Sequence, residues 1–368
     1  MPSMEIERRA FLKAAAAGAV VLLGPTLASA TPSARELYLN ACRFRDGRLG
    51  IAAFDTAGSV LRAWTLPDRG HSFAVSRDGS RAVAFARRPR GFALAFEPRN
   101  DREPALFGAP PGRHFYGHGV FADRDRLLLA TENDFDGARG VVGVYDVAAG
   151  YRRIGEFASG GVGPHELVML PDERRIAVAN GGIETHPEAG DAKFNLATMA
   201  PSLTFLDFAT GDVVAEHRLD PALHQLSIRH LAVDADGSVW FGCQHQGPAG
   251  DRPPLLGHAG PDSSPVMVLG QPNISASMSN YIGSVARSAD GSLIAASSPR
   301  GGRIIVVDLK GRLVATADLA DGCGVAPAGA TGILASSGRG EIAEIEDGEA
   351  TPVAQTSLAF DNHMALVV

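Results

Sequence analysis

One short segment recurs seven times along this chain, and a repeat of that regularity admits few folds. Each copy opens on small or histidine-bearing residues, continues as an apolar strand and ends in a turn. The openings are Gly70-His71-Ser72-Phe73-Ala74-Val75, Gly117-His118-Gly119-Val120-Phe121, Pro164-His165-Glu166-Leu167-Val168, Arg229-His230-Leu231-Ala232-Val233, Tyr281-Ile282-Gly283-Ser284-Val285, Gly322-Cys323-Gly324-Val325 and Asn362-His363-Met364-Ala365-Leu366-Val367. Successive openings are roughly 40 to 65 residues apart, the spacing of propeller blades. The turns that follow are alike: Arg77-Asp78-Gly79, Asp123-Arg124-Asp125, Pro171-Asp172-Glu173, Asp236-Gly237 and Asp290-Gly291. Asp-Gly supplies the positive φ that a tight hairpin needs.

A second apolar strand follows each turn, at Ala82–Ala86, Leu127–Thr131, Arg175–Ala179, Val239–Gly242 and Leu293–Ser297. A third ends in an acid: Phe54-Asp55, Phe96-Glu97, Tyr145-Asp146, Leu206-Asp207 and Val307-Asp308. Short antiparallel strands at this period predict an all-β, seven-bladed β-propeller. The last opening has no room for a blade after it, and the segment from Glu36 to Leu66 has strands but no opening. The C-terminal strand is therefore expected to join the N-terminal strands in one shared blade, which removes two exposed edges. A β-sandwich with long loops is the competing fold. Two long loops stand out. Residues 181–201 carry Glu184, His186, Glu188 and Asp191, and residues 244–265, rich in proline, read as a surface lid.

The first thirty residues read as an export signal rather than as fold. Arg8-Arg9-Ala10-Phe11-Leu12-Lys13 is a twin-arginine motif, an apolar stretch runs from Ala14 to Leu23, and Ala28-Ser29-Ala30 is a small-residue cleavage site. The expected mature protein is one propeller domain over 31–368, in the periplasm, with no membrane span. An uncleaved amphipathic anchor is the alternative reading of the same stretch. Twin-arginine export carries folded cargo, which fits a cofactor-bearing protein without requiring one. The formal net charge of −7 and the absence of a basic stripe argue against nucleic acid as a partner. Cys42, Cys243 and Cys323 form no CxxC pair, so this is not a disulfide scaffold. They read as small buried apolar residues.

Five of the seven openings place a histidine at the same step: His71, His118, His165, His230 and His363. Equivalent positions in a ring converge on its axis, so these imidazoles are expected near one mouth of the central channel. There they read in two ways. They bind one transition-metal ion (iron, copper or zinc), with Glu166 beside His165 as a further ligand. Alternatively, each braces the loops of its own blade and binds nothing. Glu132, Asn133, Asp134, Asn180, Glu184 and His186 are the other candidates for the same mouth. Asp134-Phe135-Asp136-Gly137 resembles a fragment of a calcium loop but lacks the full ligand series, and reads as a solvated turn. No GxSxG, P-loop or HExxH motif is present.

Several segments together carry a resemblance. They are Tyr116-Gly117-His118-Gly119, Thr131-Glu132-Asn133-Asp134-Phe135-Asp136, Gly163-Pro164-His165-Glu166, Asn180-Gly181-Gly182-Ile183-Glu184-Thr185-His186-Pro187, Pro201-Ser202-Leu203 and Ser227-Ile228-Arg229-His230-Leu231. From Tyr38 to Val368 the chain resembles the bacterial domain-of-unknown-function family numbered 1513. That resemblance implies a periplasmic propeller, often encoded beside imelysin-type iron-uptake proteins and a di-haem oxidoreductase-like protein. It implies partners within an iron-uptake system and carries over no catalytic residue.

Three functions follow. The first is a binding protein of periplasmic iron or other transition-metal acquisition, holding a metal or a partner at the channel mouth. The second is a metal-dependent, lactonase-like hydrolase in which Glu132, Asn133 and Asn180 surround a calcium-like Lewis-acid ion. The third is a metal-free interaction scaffold. An enzyme is the less favoured of these. Closed propellers often work as monomers, and a monomer is expected.

Overall fold

Aspartate-led turns cut this chain into strands short enough to stack as blades. Asp78 accepts from the Ser76 hydroxyl at 2.8 Å and the Ser80 amide at 3.0 Å, and Asp290 does the same with Ser288 at 2.7 Å and Ser292 at 2.9 Å. These carboxylates close the turn from first to second strand. The acids that end the third strands close the next turn. Asp55, Asp207 and Asp308 each take two backbone N–H groups of the residues that follow. Gly211 and Gly311 complete two of those turns at φ values of 75° and 72°, which a side chain resists.

The computed structural model describes residues 36–346 and 349–367, and the export signal read at 1–30 lies outside the described residues. Seven four-stranded antiparallel sheets are present. The inner strands are Gly70–Val75, Arg113–Ala122, Pro164–Met169, Leu226–Val233, Ser284–Arg287, Gly322–Ala328 and Ala359–Val367. Each touches the next, and the last touches the first, so the sheets form a closed ring of blades. The chain is a seven-bladed β-propeller. Its closing blade, here blade one, runs from the C-terminal inner strand to Leu37–Arg43, Leu49–Asp55 and Val60–Thr65. The other blades, two to seven, follow in chain order.

The expected closure is thus the observed one, with Leu37 opposite Val367 and Arg43 opposite Ala359. Its core holds Tyr38, Phe54 and Phe360, with the Phe54 and Phe360 ring centroids 5.4 Å apart. The loop over 244–265 departs from the lid expected of it. Residues Leu256–Ala259 leave the loop to form the third strand of blade five, pairing with Val239–His245. Leu255 and Leu256 are buried, and their burial draws the segment into the sheet despite its prolines. Among the described residues no helix is long and apolar enough to cross a membrane.

Because blade one is sealed by a strand from the far end of the chain, its core reports on closure. Phe360→Ala is expected to cost about 3–5 kcal/mol, whereas Val60→Ala, on the exposed outer strand of the same blade, is expected to cost about 0.5 kcal/mol or less. Urea unfolding midpoints measure both. Equal losses at the two positions would mean that the C-terminal strand does not close the ring.

Candidate functional site

The inner strands lose their regularity where the histidines sit. Ladder pairing shifts between Gly70 and Phe73, between Phe115 and Gly119, between Pro164 and Glu166, and between Ile228 and His230. In blade one the shift falls between the partners of Phe360 and Met364, across His363. Such bulges re-aim side chains that simple pleating would turn into a blade face. Here they let imidazoles from five consecutive blades meet at the axis.

All five predicted histidines come together. Ring centroids are 4.6 Å apart for His71–His363 and His118–His363, 4.8 Å for His118–His165, His165–His230 and His230–His363, and 4.9 Å for His71–His118. One nitrogen from each of His71, His118, His165 and His363 lies within 4.8 Å of the others, and so does one ligand atom from each of His118, Glu166, His230 and His363. Gly117 makes room for this approach. At its φ of 103°, a Cβ would sit 2.4 Å from the His71 ring.

The ring nitrogens are largely unclaimed. His71 Nδ1, His118 Nε2, both nitrogens of His165, His230 Nδ1 and His363 Nε2 are buried without a hydrogen-bond partner. His118 Nδ1 and His230 Nδ1 stand 3.6 Å and 3.5 Å from the Glu166 carboxylate, and Gln244 Nε2 is 3.4 Å from His230 Nε2. The inner strands are instead tied together by second-strand hydroxyls. Thr131 donates within reach of the carbonyls of both His118 and His165, and Ser297 donates to Cys323 O.

Burial dominates the electrostatics. It holds His71, His118, His165 and His230 well below the ordinary imidazole value and His363 down to about 4, with neighbouring imidazoles or arginines adding to the effect. Burial also pushes Glu166 up to about 8, against the hydrogen bond it accepts from the Leu231 amide. At neutral pH the cluster is a set of uncharged imidazoles, the protonation state that binds metal ions.

The remaining candidates disperse. Glu132, Asn133 and Asp134 do not follow the second strand of blade three but belong to it, because that strand continues to Asp134. Alternation then turns them to opposite faces. Glu132 is fully buried within its own blade, accepting from Tyr145 at 2.7 Å and Arg153 at 2.9 Å. Asp134 pairs with Arg139 at 2.9 Å. Asn133 turns the other way and donates toward His114 and the Thr185 carbonyl. Asn180 is enclosed by Ser159, Ser202 and Thr204. Glu184 and His186 lie in the long loop over 181–201, where His186 Nδ1 caps a short turn by accepting from the Glu188 amide and its ring packs on Phe135.

Sequence reasoning missed Arg229 and Gln244. Arg229 is 7% exposed, with Nε donating to Ser227 Oγ at 2.9 Å. Its one sequence signal is its place directly before His230. Gln244 lies beyond the predicted end of its strand, which continues to His245.

With this geometry in place, comparisons locate the chain among known proteins. A family model described as protein of unknown function (DUF1513) matches residues 64–367, and the chain belongs to that family. No curated protein matches it. Among solved structures, hydrazine synthase of Kuenenia stuttgartiensis is similar at 12% identity and TM-score 0.57, over 81% of this chain and 91% of that one. A functionally unknown protein from Desulfotomaculum acetoxidans DSM 771 is similar at 12% identity and TM-score 0.60, over 90% and 99%. The Cps50 (Swd1) β-propeller domain of Myceliophteria thermophila is similar at 12% identity and TM-score 0.54, over 93% and 100%. Likeness at that identity speaks for the fold alone.

Neutral buried histidines make stability depend on pH. Unfolded imidazoles take up protons near pH 6.5, whereas folded His363 does so only near 4. Between those values the unfolded chain binds more protons, so stability present above pH 6.5 is lost as pH falls through this window. For His363 alone the full effect is about 3 kcal/mol. Glu166 acts in the opposite sense, since its folded form keeps its proton up to about 8, but it is one group against five. Metal-free protein is expected to unfold at markedly lower urea at pH 5 than at pH 7.5, with His363→Gln flattening the difference. A midpoint independent of pH would contradict the neutral cluster.

Proposed function

We propose that this member of the family is a periplasmic metal-binding protein, which holds one transition-metal ion in the imidazole cluster as part of an iron or other transition-metal acquisition system. The observation that carries this reading is the set of buried imidazole nitrogens without partners. A buried polar group left unpaired costs about 1–3 kcal/mol, and five histidines brought together at that cost have a ready explanation in a ligand that satisfies them. His71, His118, His165, His230 and His363 would supply nitrogen, and Glu166, which lies within ligand distance of three of them, a carboxylate. Imidazole donors suit iron, copper and zinc. Bracing within each blade is the weaker reading, because His71, His165 and His363 make no hydrogen bond to their own blades among the described residues. The lactonase-like reading is weaker again. Glu132 and Asn180, which it needs, are engaged with Arg153 and with Ser159 and Thr204.

The periplasmic placement rests on Arg8-Arg9 and Ala28-Ser29-Ala30. The link to iron rests on the family resemblance, and the partners proposed are periplasmic proteins of the same uptake system.

Elemental analysis of untagged protein purified from the periplasm is expected to find about one iron, copper or zinc ion per chain. The His118→Ala/His165→Ala double variant is expected to lose it while remaining folded. If the native protein carries no metal and takes up none from micromolar Fe²⁺, Cu²⁺ or Zn²⁺, the protein is an interaction scaffold instead. Cell fractionation tests the address. Replacing both Arg8 and Arg9 by Lys is expected to leave the protein in the cytoplasm, and undiminished export would rule out the twin-arginine route.

A further inference from the structure

In an antiparallel blade the inner strand starts, and the second strand ends, at the same end of the ring. That rule gathers a set of cations on the rim above the histidines. Arg87 and Arg88 follow the second strand of blade two, Lys193 lies in the long loop after the second strand of blade four, and Arg300 follows the second strand of blade six. Tyr116 and Tyr281 stand at the starts of blades three and six, and the Arg300 guanidinium lies over the Tyr281 ring at 4.3 Å. Arg229 reaches into this group from blade five. The charges of Arg88 and Arg87, from the far side of the ring, act on it along with Tyr281 and Tyr116. A side chain felt by residues of blades two, three and six sits near the channel mouth.

Arg229 is the unusual member. It is buried, its Nε is held by Ser227, and its two terminal nitrogens have no acceptor among the described residues. Gly181 leaves the space it occupies, since a Cβ there would lie 3.3 Å from Arg229 Nε. The fork is not shut away with the fully buried unpaired atoms, so an anion from solvent can reach and complete it. The acids nearby do not serve. Asp361 is paired with Arg69 and Arg87, Glu166 faces His118 and His230, and Lys193 donates to the Gln246 side chain rather than to a carboxylate. The mouth is therefore cationic in a protein whose formal net charge is −7, and a cleft lined by one sign of charge concentrates the opposite sign.

We propose that a small oxyanion, bearing carboxylate or phosphate groups, docks in the channel mouth on the free fork of Arg229, with Arg88, Lys193 and Arg300 around it. An arginine fork matches the paired oxygens of either group. The site needs no metal, so it stands or falls separately from the function proposed above.

Calorimetric titration of chelator-treated full chain at low ionic strength tests it, with malonate as the planar probe and inorganic phosphate as the tetrahedral one. At least one probe is expected to bind, and the tighter of the two identifies the oxyanion. Arg229→Gln is expected to weaken that binding tenfold or more. Arg88→Gln, at a side chain with no ion pair to lose, is expected to weaken it about threefold. Arg312→Gln, at the opposite end of the ring, is expected to leave it unchanged. If Arg229→Gln fails to fold, Arg88→Gln decides. Failure of both probes to bind below roughly 5 mM, or unchanged affinity in the Arg229 and Arg88 variants, overturns the proposal.

Discussion

The pairing of Ala359–Val367 with Leu37–Arg43 is the contact on which the rest of the axis depends. It joins residues from the two ends of the described chain, and closing a loop of that length carries a large but slowly growing entropic cost. In return it removes both sheet edges and fixes the distance between the first and last blades. His363 sits against His71 and His118 only because the ring is shut. An open sheet stack would keep every blade and lose the cluster.

Closure also explains why the histidines are spared structural duty. Neighbouring inner strands are held by buried hydroxyls on the second strands, at Thr131 and Ser297, and the second strands of blades one and seven are joined by Asn40, which donates to Ser336 at 2.7 Å. With the strands secured from behind, the imidazoles project into the channel with nitrogens unpaired. The apolar clusters between blades supply the stability that such an axis consumes. The result is a buried, uncharged nitrogen-rich centre beneath a cationic rim. The two layers differ in kind: imidazoles are neutralised by burial, whereas Arg229, with burial pulling its guanidinium down only to about 10, stays charged at neutral pH.

Much of this was legible in the sequence because it is local. Turn aspartates, positive-φ glycines and period-two strands act over a few residues, so blade number, strand order and the shared closing blade follow from pattern. The five histidines were legible for a related reason: equal steps in equal repeats must face the same axis. The failures were failures of range. Glu132 and Asn133 are adjacent in sequence, but one turns to Arg153 and the other to the 181–201 loop. Asn180 also looked free in sequence, and it is enclosed by hydroxyls from its own blade and the strand before it. The proline-rich stretch over 244–265 yielded a strand because Leu255 and Leu256 found a core to enter.

By itself, then, the sequence determined a ring of seven blades, the strand that shuts it, and which side chains occupy equivalent inner positions. Those follow from backbone geometry and repetition, which neighbouring residues dictate. Only the tertiary structure decided which polar groups already have partners and which do not. That distinction separates Glu132, consumed by Arg153, from His165, whose two nitrogens are unclaimed, and from Arg229, whose fork is open. It depends on bulges that re-aim single side chains and on contacts between blades far apart in the chain, and no local pattern encodes either.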